Sequence, residues 1–121
     1  MFKVKVDIDI SELMNKKNKA AKSAQEQLDQ AVLKDSNYYI PKDKSNLEGS
    51  GIRSSLIGKG KIIWDTPYAR RLYYNPQYNF SKDRNPNARG LWFEAAKSEK
   101  KTSWLEQAKN EYRRVFNGGG L

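Results

Sequence analysis

The stretch "GIRSSLIGKGKIIWDT", residues 51–66, decides the fold class. "GIRSSLI" and "KIIWDT" are short runs rich in branched apolar residues, and they flank Gly58-Lys59-Gly60. Two such runs around a short glycine-containing turn read as a β-hairpin, because glycine reaches the positive φ that tight turns demand. Just upstream, Ile40-Pro41 ends the preceding element, and Asp43, Ser45, Asn46, Gly49 and Gly51 all favour turns. The middle of the chain is therefore expected to be loop, then hairpin.

Working outward to the N-terminus, "MFKVKVDIDI" sets Phe2, Val4, Val6, Ile8 and Ile10 against Lys3, Lys5, Asp7 and Asp9. A period of two is the pattern of a half-buried strand. Ser11 follows as an N-cap before "ELMNKKNKAAKSAQEQLDQAVLKDS", which has an acidic first turn and apolar positions at Leu13, Ala20 or Ala21, Ala24, Leu28 and Ala31 or Val32. This stripe is thin and alanine-rich. It predicts a long helix lying on a surface with most of its circumference in water.

Toward the C-terminus, Pro67 suits a first helical turn, and "YARRLYY" reads as two turns capped by Thr66. Asn75 to Gly90 shows no period, and residues 76–90 are expected to form an extended loop or arm. From Leu91, a stripe of Ala95, Leu105, Ala108, Tyr112, Val115 and Phe116 reads as a helix through Arg114. Its polar waist contains Ser103-x-x-Glu106, a capping-box spacing, so one helix and two helices broken near Thr102 are both open. Residues 117–121 are expected to form a flexible tail. The result is a single α+β domain over 1–121, with a small antiparallel sheet, a long N-terminal and a C-terminal helix packed on one face, and a long loop insert.

Composition narrows the chemistry. The chain has 121 residues, 23 Lys and Arg against 14 Asp and Glu, a formal net charge of +9, and neither His nor Cys. That removes disulfides, thiolate metal sites, and the commonest general base and nitrogen ligand. No apolar run is long enough to span a membrane. Asp7 and Asp9 share one face of the first strand and could hold a divalent cation for a nuclease, yet the solvated face of an amphipathic strand is much the better account of them. "EGSGIRSS" lacks the Lys-Ser/Thr ending of a phosphate-binding loop. We therefore expect no enzyme and no cofactor.

The aromatics carry more. Trp64 and Trp92 are expected in the core with Tyr68 and Leu72, while Trp104 falls off the main stripe of its helix. Tyr73, Tyr74, Tyr78 and Phe80 are hard to bury together in so small a domain. Interleaved with Arg, they suit a single-strand stacking platform or a protein contact, and both readings stay open at this level.

"YIPKDKSNLEGSGI" (39–52), "GKIIWDTPYARRLYYNPQYNF" (60–80) and "NPNARGLWFEAAK" (85–97) together resemble the minor capsid protein family of long-tailed phages of Gram-positive bacteria. That family is similar in layout to head–tail joining, or tail-completion, proteins. The resemblance implies a structural virion protein at the head–tail junction, made in the host cytoplasm. It would form a ring of sixfold or twelvefold symmetry with itself and contact other neck and tail proteins. It would also meet packaged DNA non-specifically, through counterion release. Tyr73, Tyr74, Tyr78 and Phe80, with Arg84 and Arg89, would then form the protein interface. The alternative is a small basic nucleic-acid-binding protein of a mobile element.

Overall fold

The computed structural model describes residues 3–8, 19–42 and 45–119. In chain order these form strand β1 (Lys3–Asp7), helix α1 (Lys19–Asn37), helix α2 (Ser45–Ser54), strand β2 (Lys61–Asp65), helix α3 (Ala69–Tyr73) and helix α4 (Trp92–Arg114), which ends in a π-helical turn, Val115–Gly119. The fold is α+β, with a two-stranded antiparallel sheet and four α-helices among the described residues. Phe2, Asp9, Ile10, the Ser11 cap, Leu13 and Asp43 lie outside the described residues.

The period-two reading of the first strand holds, and "KIIWDT" supplies the second. Val4 pairs with Trp64 and Val6 with Ile62, so the apolar alternates of β1 and β2 line one face. Val4, Ile62 and Trp64 are buried there, while Lys3, Lys5 and Asp7 face water. Asp7 pairs with Lys61 across the strands, and that ammonium holds its carboxyl below the usual range.

The hairpin is where the sequence misleads. β2 pairs with β1, and "GIRSSLI" supplies the end of α2 instead of a strand. Only Leu56 forms a bridge, to Lys61. Two serines do what the expected strand would have done on the free edge of β2. Ser55 Oγ accepts the Ile63 amide at 2.9 Å, and Ser50 Oγ accepts the Asp65 amide at 3.1 Å. Side-chain oxygens thus satisfy strand donors that would otherwise be left unpaired. Gly51 is helical because α2 lies close to the sheet: a Cβ there would fall 2.6 Å from Trp64 Nε1 and 3.0 Å from Leu33 Cδ1.

The glycine turn itself is real and is held from below. Gly58 and Gly60 have φ of 93° and 73°. The Asp29 carboxylate of α1 accepts both of their amides, at 2.7 and 2.9 Å, and Gln25 Nε2 donates to its other oxygen at 2.8 Å. Gln25 also donates to the Ile8 carbonyl, tying α1 to the end of β1.

Helix α1 is correspondingly less wet than its thin stripe suggests. Ten of its residues are buried, from Ala20 to Asn37, because α4 covers one side and the sheet and its turn cover another. Small residues let α1 and α4 approach antiparallel. Ser23 donates to Glu111, Gln27 to Gln107 at 2.9 Å, and Trp104 Nε1 to Asp35 at 2.7 Å.

Helix α4 is unbroken, which resolves the one-or-two question. Its buried stripe is Trp92, Ala96, Trp104, Ala108 and Val115, so Trp104 lies on the stripe, and Leu105 and Phe116 are 40% and 42% exposed. Ser103 and Glu106 sit exposed in mid-helix and start nothing.

Candidate protein-contact surface

Helix α3 and the segment after it carry the aromatics in question. Ala69 and Tyr73, one turn apart, face inward and are buried. Tyr68 and Leu72 are half-buried against the core, while Arg70, Arg71 and Tyr74 face outward. The helix is shorter than expected. It begins at Ala69 with Tyr68 as an N-cap that makes no side-chain bond, and Pro67 lies in the preceding turn. Thr66 caps only through its carbonyl, which accepts the Ala69 amide at 3.2 Å; its buried hydroxyl has no partner.

Tyr73 is corrected from interface to core. It is 2% exposed and meets Trp92 edge to face at 4.7 Å, and Trp92 in turn meets Trp64 at 5.8 Å. Its hydroxyl donates to Glu94; burial, reinforced by that carboxylate, pushes the phenol well above its ordinary range. The sign that would have placed it inward is its spacing of four from Ala69.

Beyond Tyr73 the core is closed and the aromatics turn out. Tyr74 is 54% exposed and Tyr78 42%, while Phe80 is half-buried beside Tyr78, with ring centroids 6.2 Å apart. Arg70 lies over the Tyr74 ring at 5.0 Å, a cation–π contact that occupies one face. This is no row of free parallel ring faces for stacking bases. Arg84 and Arg89 are exposed, and none of the ion pairs among the described residues involves either of them.

Residues 85–91 do not hang free, which narrows the expected arm to about 76–84. Asn85 Nδ2 donates to the carbonyls of Tyr38 and Ile40, at 2.9 and 2.8 Å. The Arg89 amide bonds to Tyr39 O, and the Leu91 amide to Tyr73 O. Lys82 donates to the carbonyl of Ala88, which is fully buried. At Gly90, a Cβ would come within 2.8 Å of Leu72 O and 3.0 Å of Tyr73 O, so the backbone approach requires glycine. Leu91 follows with φ 49°, an uncommon left-handed conformation for leucine that aims α4. This clamp escapes a sequence reading because Asn85 reaches residues more than 40 positions away.

The layout from the first strand through the last helix matches a family model described as minor capsid protein, over residues 3–111. The chain belongs to the minor capsid protein family. No curated protein and no solved structure matches it. Membership makes this minor capsid family chain a structural protein of a phage virion. Among the described residues no group of three or more His, Cys, Asp or Glu could hold a metal ion, and no helix is long and apolar enough to cross a membrane.

Proposed function

We propose that this capsid protein is a ring-forming subunit of the neck of a long-tailed phage of Gram-positive bacteria, joining or completing the head–tail interface. It would act structurally, by contact, with no catalytic step. The observation that carries the reading is a surface of exposed Tyr74 and Tyr78 with half-buried Phe80, flanked by Arg84 and Arg89, outside a core that Trp64, Tyr73 and Trp92 already fill. Tyrosine and arginine placed so are the residue types that dominate protein contacts. The position in the neck rests on the resemblance in layout, read from the sequence, to head–tail joining proteins. The +9 charge suits a place beside packaged DNA, where neutralising phosphates needs no base reading.

The test is an early stop codon in this gene of the parent phage, with lysates imaged by negative-stain electron microscopy. Filled or leaking heads lying beside separate, finished tails are expected. Complete virions would overturn the reading.

A further inference from the structure

Between α3 and the exposed loop runs an open groove of about 620 Å³, lined by Pro41, Tyr68, Arg71, Leu72 and the 78–81 stretch. Its walls are of two kinds. Pro41, Leu72 and the rings of Tyr78 and Phe80 are apolar, while Arg71, Asn79 and Ser81 are polar. The Tyr68 hydroxyl is buried yet has no hydrogen-bond partner. It lies behind the groove wall, with no accessible surface for an occupant to meet.

Charge identifies the occupant. Asp83 is the only Asp or Glu from Thr66 to Phe93, against Arg70, Arg71, Lys82, Arg84 and Arg89. None of these cations belongs to an ion pair among the described residues. A second copy, itself at +9, brings the wrong sign. Nucleic acid has the right sign, but the rings here offer no open stacking row: Arg70 caps Tyr74, and Tyr78 leans on Phe80.

We propose that this groove takes an acidic segment of a different virion protein, with an apolar or aromatic side chain between Leu72 and Phe80 and a carboxylate on Arg71. Carboxylate against guanidinium gives the charge-assisted bonds that fix such a segment in register. The inference rests on the neck reading and adds the chemistry of the partner.

The test places the photo-crosslinking residue p-benzoylphenylalanine at Asn79, an exposed groove position, in protein made during infection, with Glu106 on α4 as the control site. After irradiation, virions are purified and the cross-linked peptides are sequenced by mass spectrometry. The expected product from Asn79 alone is a peptide of another virion protein, rich in Asp and Glu beside an apolar residue. Arg71→Glu should lower its yield per copy in infected-cell lysates about tenfold, since like charges across a contact repel. A cross-link to a second copy, to DNA, or to nothing, in virions that contain the protein, overturns the groove assignment and leaves the neck reading standing. Absence of the protein from virions overturns both.

Discussion

The region around Trp64 and the region around Tyr78 are both rich in aromatic residues, and they have opposite fates. In the first, the polar tip of a ring meets a fixed partner: Trp64 Nε1 donates to Asn37 at 2.9 Å, Trp104 Nε1 to Asp35, and Tyr73 to Glu94. Trp92 is the exception, buried by its neighbours' edges while its indole N–H stays unpartnered. In the second region, Tyr74 and Tyr78 keep about half their surface in water; Tyr74 meets Arg70 and the edge of Tyr73, and Tyr78 meets Phe80. Aromatic content alone does not separate core from contact surface. What separates them is whether the fold encloses the body of the ring.

The comparison can be broken by removing a ring from each side, and the largest effect belongs to the core. Trp64→Ala should destabilise the protein by about 3–5 kcal/mol in urea unfolding followed by circular dichroism, as expected for a large buried ring. A loss below about 1 kcal/mol would mean that the sheet does not depend on it.

Asp29→Asn tests the turn under the sheet. The amide keeps the shape but cannot accept all three N–H groups, so a loss of about 2 kcal/mol is expected. The amides of Gly58 and Gly60 should then exchange with deuterium faster, whereas those of α4 should not.

Gly90→Ala sharpens the boundary between the two regions. Its methyl group would press on the carbonyls of Leu72 and Tyr73, which belong to backbone that cannot swing aside. A cost of about 1–3 kcal/mol is expected, with chemical-shift changes confined to 72–76 and 85–92.

The smallest of the stability effects is acid-dependent. Arg114, and secondarily Ser23, hold the Glu111 carboxyl down to about 2 from an ordinary 4.5. A carboxyl depressed on folding contributes stability that is complete above its unfolded pKa and disappears as pH falls through its folded one. The Glu111–Arg114 pair within α4, and with it the Ser23 bond from α1, should therefore weaken between about pH 4.5 and 2, by less than about 1 kcal/mol because the pair is partly solvated. Glu111→Gln should flatten that part of the pH profile.

Legibility followed the same division. The two strands were readable because Val4 and Val6 alternate with lysine and aspartate, and because Ile62-Ile63-Trp64 is a short branched and aromatic apolar run beside a glycine turn. Helix α2 was not, since Ser45, Asn46, Gly49 and Gly51 are turn formers by local preference. The glycine serves approach to Trp64, and the serines serve the edge of β2, both tertiary reasons invisible in a local window. In the candidate surface, Tyr74 and Tyr78 lie exposed and Tyr73 does not, because the phase of a five-residue helix set by Ala69 outweighs composition.

The most direct measurement is complementation of the stop-codon phage with Tyr78→Ala/Phe80→Ala protein, alongside unfolding of the same purified protein. The account predicts a stability within about 0.5 kcal/mol of the parent, as for surface changes away from the core, together with heads and tails that fail to join. An unfolded variant would return these rings to the core, and a folded variant that restores complete virions would remove them from the contact surface.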